Sequence, residues 1–272
     1  MAKMDVGRVG AVINPSPDRA PVAEAAEREA LGFPTVWISG GPLGGLDHLA
    51  EVVRGTERAR VAPGILAVSR FGADDVIALY REMESEHPGR LVLGLGGAHG
   101  PRPFATLNAY LDRLDAAEVS ADVRVLAALG PRMFALARER ASGAFPVLVT
   151  TEYLARARDW LGDGCTLAVQ QLVVLDADPP RARDTVRAGS LGFLGRAPQY
   201  RASFARMGFT ADEIEGLADR LVDGLVAWGD LDRVVARVGE LFAAGADHVA
   251  LWLGGGPDDA WEQLAEALAP RG

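Results

Sequence analysis

Short apolar runs rich in β-branched residues alternate along the chain with longer segments in which apolar positions recur with the 3.6-residue period of an amphipathic helix. This alternation is typical of parallel strands that are joined by crossover helices. Eight such units can be counted. The predicted strands cover residues 8–13, 35–39, 60–68, 91–95, 124–128, 146–149, 167–175 and 248–252.

The helices between these strands are predicted from the same periodicity. They cover residues 20–31, 46–57, 74–86, 106–117, 131–141, 152–161, 231–244 and 258–268. Four helices are followed by a glycine that acts as a stop signal, namely Gly32, Gly89, Gly143 and Gly245. Eight βα units in 272 residues predict an α/β fold, a (β/α)8 TIM barrel, rather than a doubly wound sheet, which usually has fewer strands.

The connection between the seventh and eighth strands is irregular. Residues 176–247 are too many for a single crossover, and we expect this stretch to form a helical insertion that folds over one end of the barrel. No repeat, low-complexity tract or linker divides the chain. Residues 1–272 are therefore predicted to form a single domain, with 176–247 as an insertion region within it.

Composition narrows the classes of function. Hydrophobic residues make up 49% of the chain, which is enough to bury a large core. The formal net charge of −9 disfavours nucleic-acid binding, which needs clustered Lys and Arg. The single cysteine, Cys165, excludes an intramolecular disulfide and a cysteine zinc site. Neither a signal-peptide pattern nor an apolar run of membrane length is found, so we expect a cytoplasmic protein that binds no membrane.

The junction Gly130-Pro131-Arg132 joins the fifth strand directly to a helix. The first N–H groups of a helix have no intrahelical partner, and the helix dipole favours negative charge beside them. Pro131 suits the first helical position because it has no N–H, whereas a cation at Arg132 is unfavourable there unless an anion lies between it and the amides. Two interpretations stay open: a phosphate-binding turn, or an ordinary turn with Arg132 in water.

Catalytic residues of TIM barrels lie where strands end and helices begin, and small residues dominate those positions here. The segment GLGGAHG at 94–100 does not fit the dinucleotide fingerprint GxGxxG, because His99 stands where the last glycine is required. His99 is either a proton donor in a glycine loop around a cofactor or a solvated histidine in a tight turn.

The other side chains offer little chemistry of their own. His48, His87 and His248 do not have metal-binding spacing, and the chain has no GxSxG nucleophile motif. Glu152 and Asp176 are the carboxylates at strand exits, and each also suits the start of a helix. The sequence therefore predicts no metal site and indicates that a bound cofactor carries the reaction.

Four segments spread over nearly the whole chain carry a family resemblance. They are ALGFPTVWI at 30–38, PGRLVLGLG at 88–96, VLAALGPRMFALARERA at 125–141 and DRLVDGLVAWGD at 219–230. In this order and at this spacing, the chain resembles the luciferase-like superfamily of flavin and deazaflavin oxidoreductases, and most closely its F420-dependent branch.

The resemblance implies that a deazaflavin or flavin ring lies at the carboxyl ends of the strands, with its phosphate at the fifth strand-to-helix turn. In the family, the third-strand contact often lies at a bulge with an unusual peptide bond. The implied cofactor-binding residues of this chain are Ser39 and Gly40 at the second exit, Val68 and Ser69 at the third, Gly96, Gly97 and Ala98 at the fourth, and Ala128, Leu129, Gly130, Pro131 and Arg132 at the fifth.

The sequence departs from the family pattern at two positions and in one loop. The second exit reads Ser39-Gly40-Gly41, where related enzymes commonly have an acidic residue or a histidine. Gln170 stands where close relatives tend to have a glutamate, and the first βα loop is short. Cofactor binding is therefore better supported than turnover.

The resemblance implies an F420-dependent oxidoreductase that transfers a hydride between the deazaflavin and a small organic substrate held under the insertion. His99 is the expected proton donor. The alternatives are an FMN-dependent luciferase-like monooxygenase and a non-catalytic cofactor-binding member of the family. Relatives pair through barrel helices, so a homodimer is also implied.

Overall fold

The structure is a computed structural model, and it describes residues 3–15, 20–98 and 101–269. Ten strands lie within these ranges. They are β1 (Val9–Ile13), β2 (Thr35–Ile38), β3 (Arg60–Pro63), β4 (Leu66–Ala67), β5 (Leu93–Gly96), β6 (Arg124–Leu126), β7 (Gly143–Ala144), β8 (Thr166–Leu175), β9 (Val226–Gly229) and β10 (His248–Gly255).

Thirteen α-helices alternate with these strands in the same described ranges. They are α1 (Pro21–Ala30), α2 (Asp47–Arg54), α3 (Ala73–Glu86), α4 (Pro103–Ala116), α5 (Pro131–Arg140), α6 (Thr151–Leu161), α7 (Pro179–Ala188), α8 (Ser190–Leu194), α9 (Pro198–Arg206), α10 (Ala211–Glu215), α11 (Asp219–Leu225), α12 (Leu231–Ala243) and α13 (Ala260–Leu268).

The strands pair in parallel in the order β3-β2-β1-β10-β8-β7-β6-β5-β4. β3 and β4 together occupy the third position of a barrel, because β3 pairs with β2 and β4 pairs with β5. An isolated bridge between Val61 and Leu91 adds a second link between the third and fourth positions. The prediction of a TIM barrel with helices between parallel strands is confirmed.

The third barrel strand is broken, in contrast to the continuous strand predicted at 60–68. A cis peptide bond joins Gly64 to Ile65, between β3 and β4. The unusual peptide bond expected at Val68 or Ser69 therefore lies earlier in the chain. Val68 and Ser69 belong to the turn that follows β4.

The sixth strand was predicted at 146–149, and this is wrong. The sixth barrel strand is β7, and Leu148 has a φ of 54°, which a regular strand cannot accommodate. Gly143 is also not a helix stop, since α5 ends at Arg140. A Cβ atom at Gly143 would lie 2.4 Å from the Thr166 carbonyl oxygen, so glycine is needed there for strand contact.

Five helices, α7 to α11, lie between β8 and β9, and α12 follows before β10, which agrees with the predicted helical insertion. Strand β9 was not predicted, and it pairs with the upper half of β8 at residues 172–175. Within the insertion, Arg183 pairs with Asp219 at 3.0 Å and with Asp223 at 2.7 Å. α9 contacts the fifth strand exit, so the insertion covers part of the carboxyl end of the barrel.

The inside of the barrel is apolar and partly aromatic. The rings of Trp37 and Phe145 stack with centroids 4.0 Å apart. Below them, the Trp37 indole N–H donates to Nε2 of His248 at 2.9 Å, which leaves the His248 proton on Nδ1, 2.8 Å from the Gly7 carbonyl oxygen. Complete burial lowers the pKa of His248 to about 4, so this histidine is a neutral structural residue.

Among the described residues, none of the helices is both long enough and apolar enough to span a bilayer.

Candidate functional site

The fifth strand-to-helix turn is built as the sequence predicts. α5 begins at Pro131, and its N-cap residue Gly130 offers no side-chain cap. The N–H groups of Met133 and Phe134 both donate to the Gly130 carbonyl oxygen, at 2.9 and 3.2 Å. The N–H groups of Gly130 and Arg132 donate to no other described residue. Two backbone donors therefore remain available at a helix N-terminus.

The Leu129 carbonyl fixes the orientation of this turn. Its oxygen accepts from the Tyr153 hydroxyl at 2.9 Å, from Nη2 of Arg206 at 2.8 Å and from the Ser203 hydroxyl at 3.5 Å. In a trans peptide the C=O and the following N–H point in opposite directions. The Gly130 N–H therefore points away from α6 and α9, which supply these three donors.

Two arginines lie close to the turn. The Arg132 guanidinium stacks over the Phe104 ring of α4, 4.8 Å from its centroid, and the side chain is exposed. The guanidinium carbon of Arg206 lies 3.6 Å from the place of a Cβ atom on Gly130. Neither arginine pairs with a carboxylate of the part of the chain that the structure describes. Sequence reasoning missed Arg206, because it lies 77 residues from Leu129 and carries no local motif.

Glycines at the second and fourth exits are explained by backbone contacts. A Cβ atom on Gly40 would lie 1.7 Å from the Ile65 carbonyl oxygen, and one on Gly96 would lie 2.7 Å from Cβ of Ala127. Gly97 has a φ of +59°, which favours glycine. An acidic side chain therefore has no room at Gly40 unless the Ile65 backbone moves.

The remaining predicted residues lie around the same exits. Ser39 donates to the Asn14 side chain, and Ser69 donates to the Gly97 carbonyl oxygen at 2.8 Å. The Val68 N–H donates to Gly96 at 2.8 Å, which ties the third exit to the fourth. The side chain of Ala128 is buried in the outer core, among residues that face the helices, and the Ala98 side chain packs partly buried against that core. His99 lies outside the described residues.

The two carboxylates at the strand exits are held in the charged form. The backbone N–H of Glu152 and the Thr150 hydroxyl lower the pKa of the Glu152 carboxyl. A hydrogen bond from Arg181 lowers the pKa of Asp176. Neither group stores a proton near neutral pH. No cluster of His, Cys, Asp and Glu suited to a metal occurs in the described ranges.

Gln170 brings an unused polar group to the barrel interior. Its side chain lies on the inward face of β8 with Ala168 and Leu172. The residue is 6% exposed, and its amide has no hydrogen bond to any described residue. The next residue, Gln171, donates to the carbonyl oxygens of Leu172 and Leu225 at 2.8 and 3.0 Å.

A groove of about 390 Å³ lies away from the barrel axis, between α1, α13 and the loop after β10. Four of its lining residues are acidic, namely Glu24, Glu27, Asp258 and Glu262. This groove is less suited to an anionic ligand than the fifth exit, where arginines and backbone N–H groups meet.

No protein-family model matches the sequence, and no curated protein matches it. Similar solved structures are found. An F420-dependent secondary alcohol dehydrogenase, solved with an F420-acetone adduct, has a TM-score of 0.74 at 11% identity, covering 98% of this chain and 98% of that one. A coenzyme F420 dependent tetrahydromethanopterin reductase from Methanopyrus kandleri has a TM-score of 0.70 at 17% identity, covering 96% and 98%.

A third similar structure is a type II Baeyer-Villiger monooxygenase, the oxygenating constituent of 3,6-diketocamphane monooxygenase from Pseudomonas putida, solved with FMN. Its TM-score is 0.71 at 14% identity, and the match covers 97% of this chain and 98% of that one. The fold of this chain, a parallel α/β barrel, is thus similar to that of these three oxidoreductases. Among the described residues, the barrel carries at its carboxyl end two backbone N–H groups without a partner, two arginines and one amide without a hydrogen bond. This donor set fits a planar cofactor that bears a phosphate.

Proposed function

We propose that the protein is an oxidoreductase that binds a phosphate-bearing deazaflavin or flavin at the carboxyl end of its barrel. The fifth turn carries this proposal. There, the N–H groups of Gly130 and Arg132 have no partner among the described residues, and Arg132 and Arg206 have no carboxylate partner there. In a chain of net charge −9, two arginines that lie beside a helix N-terminus and have no carboxylate partner among the described residues favour an anion.

Residues from several strand exits at the carboxyl end of the barrel have a role in this proposal. The backbone N–H groups of Gly130 and Arg132, with the Arg132 guanidinium, would hold the phosphate, and Arg206 would add positive charge beside them. Gly97 and Ser69, which are linked by a hydrogen bond of 2.8 Å, would border the ring. When bound, such a cofactor supplies hydride or electron transfer. The insertion would exclude water from the site and hold the substrate beneath it.

F420-dependent hydride transfer to or from a small organic substrate is our first choice of reaction. Hydride transfer by a bound cofactor asks the protein for binding and orientation and for little acid or base chemistry. Glu152 and Asp176 are ionised and tied by hydrogen bonds, which agrees with this demand. Two of the similar structures are described as F420-dependent. His99 stays our prediction for the proton donor.

Two alternatives rest on separate observations. The likeness to a monooxygenase solved with FMN, at a TM-score of 0.71, favours an FMN-dependent monooxygenase. The second exit, where Gly40 leaves no room for an acidic side chain, favours a non-catalytic protein that binds the cofactor. Oxygen consumption with reduced FMN distinguishes the first alternative from hydride transfer. Retention of a cofactor without turnover on any tested alcohol, aldehyde or ketone supports the second.

The first experiment is cofactor retention. The purified protein is incubated with F420 or with FMN, passed through a desalting column and examined by absorbance and fluorescence. We expect F420 to stay bound, and retention of FMN alone would move the assignment to the monooxygenase. A protein that retains neither cofactor contradicts the proposal.

The second experiment tests the phosphate site by charge reversal. We expect Arg132→Glu and Arg206→Glu each to weaken binding of the retained cofactor at least tenfold, because each variant replaces a positive charge beside the phosphate with a negative one. Arg58→Glu is the matched control, since Arg58 is an exposed residue in the loop before β3, at the opposite end of the barrel.

Riboflavin has the ring of FMN but no phosphate, so it distinguishes an effect on phosphate binding from an effect on ring binding. With FMN as the retained cofactor, riboflavin affinity should change much less than FMN affinity in both variants. An equal loss for riboflavin and FMN would show that the two arginines act on something other than the phosphate.

A further inference from the structure

Gln170 holds a polar group on the inner face of the barrel that the described part of the folded chain does not use. It is 6% exposed, and neither its Nε2 nor its Oε1 makes a hydrogen bond with the part of the chain that the structure describes. Such a group is normally satisfied by something that the chain itself does not supply.

The position of Gln170 on β8 decides where this amide points. Inward and outward side chains alternate along a strand, and Ala168 and Leu172 belong to the inner cluster with Trp37, Phe145 and Trp252. Oε1 of Gln170 lies 3.7 Å from the place of a Cβ atom on Gly64. β8 and β3 stand on opposite sides of the barrel in the strand order. The amide therefore crosses the barrel axis from the seventh position toward the third.

The surroundings of the amide are flat and apolar. The Phe145 ring lies 3.0 Å from the same place on Gly64, and Phe145 stacks on Trp37 beneath. Ile65, which is partly exposed, packs against the same inner cluster. Walls of this kind favour a planar ring, and the single polar group among them would select its orientation.

A primary amide recognises one edge pattern best. Its N–H donates and its C=O accepts side by side, so it pairs with a heterocycle that has a carbonyl next to a ring N–H or ring nitrogen, as Gln does with adenine. We propose that Gln170 binds such an edge, the lactam-type edge of the planar heterocycle that enters the barrel mouth. This inference rests on the proposed function, because the pyrimidinedione edge of a flavin or deazaflavin belongs to this class.

Gln171 provides a matched control on the same strand. Its amide faces outward and is satisfied by Leu172 and Leu225. Gln170→Leu removes an unbonded amide, and Gln171→Leu removes two hydrogen bonds. Gln170→Leu should therefore change affinity and spare stability, whereas Gln171→Leu should change stability and spare affinity.

The experiment titrates FMN and F420 into wild type, Gln170→Leu and Gln171→Leu, and follows chromophore fluorescence. Unfolding by urea is measured on the ligand-free proteins. Gln170→Leu should weaken the retained cofactor fivefold to tenfold and leave the urea midpoint unchanged or higher. Gln171→Leu should lower the urea midpoint and keep wild-type affinity. Gln170→Met is the second variant if Gln170→Leu does not fold.

Each other outcome is informative. If wild type binds a cofactor and both Gln170 variants bind it equally well, Gln170 is not a ligand and the proposed function stands. If Gln170→Leu loses stability as Gln171→Leu does, the amide has a structural partner and the inference is wrong. If wild type binds neither FMN nor F420, the proposed function and this inference are both overturned.

Discussion

The two ends of the barrel interior differ in how their polar groups are satisfied. At the amino end, His248 uses both ring nitrogens, on Trp37 and on Gly7, and the Thr35 hydroxyl donates to the Val6 carbonyl oxygen at 2.7 Å. At the carboxyl end, the Gln170 amide and the Gly130 N–H have no partner among the described residues. The difference indicates that the amino end serves stability, while the carboxyl end keeps donors for a ligand.

The largest effect on stability should come from removing one ring of the stacked pair Trp37 and Phe145. Trp37→Ala removes a fully buried ring that stacks on Phe145, and it leaves Nε2 of His248 without a donor. We expect the free energy of unfolding to fall by about 3–5 kcal/mol. Urea unfolding measures this. Phe193→Ala is the control, because Phe193 is 80% exposed, and it should change stability by less than about 0.5 kcal/mol.

A second prediction concerns pH and His248. Its pKa is about 4 in the folded protein, against an ordinary value of 6.5, so the unfolded chain binds more protons between these values. The buried neutral His248 therefore contributes about 3 kcal/mol to the pH dependence of the free energy of unfolding. This stability is fully present above pH 6.5 and is lost as pH falls toward 4. His248→Gln should be less stable at pH 7 but should show a shallower decline between pH 6.5 and 4. Parallel declines for both proteins would contradict the linkage.

Two adjacent glycines at the carboxyl end of the barrel allow a matched comparison, with a smaller expected change in stability. Gly40→Ala must move the Ile65 backbone, since the added Cβ would lie 1.7 Å from its carbonyl oxygen, and we expect a loss of about 1–3 kcal/mol. Gly41→Ala meets nothing within 4 Å. It should be neutral within about 0.5 kcal/mol. Equal thermal midpoints for the two variants would show that the second exit can rearrange.

The smallest effect on stability is expected at the fifth turn. Arg132→Glu places a favourable charge at the α5 N-terminus, worth about 0.3–1 kcal/mol, and gives up the contact with Phe104, worth about 0.5–1 kcal/mol. These changes offset each other, so the urea midpoint should stay near that of wild type. A weaker cofactor together with an unchanged midpoint would separate binding from folding at this end of the barrel.

The sequence predicts the parts of the fold that depend on local pattern. Hydrophobic periodicity finds eight barrel positions, and the Gly-Pro step locates the start of α5 at Pro131. It misplaces the sixth strand, because the positive φ of Leu148 has no local signal. It also misses β9, since a four-residue strand between two helices has no clear period.

The candidate site is predictable only in part for a related reason. Gly130 and Arg132 are visible as a motif, whereas Arg206 reaches the turn from another part of the chain. The resemblance implies that Gly40 binds the cofactor, but the sequence gives no sign that the Ile65 carbonyl oxygen packs against it. Contacts between residues far apart in sequence decide these positions, and local patterns do not encode them.

The Leu129 carbonyl oxygen has a mechanical consequence. Three donors from two helices, α6 and α9, converge on this one atom. α9 cannot lift from the barrel without breaking the bonds from Arg206 and Ser203 and freeing the peptide plane that orients the Gly130 N–H. The hydrogen bonds at Leu129 therefore couple the position of α9 to the orientation of the turn that begins α5.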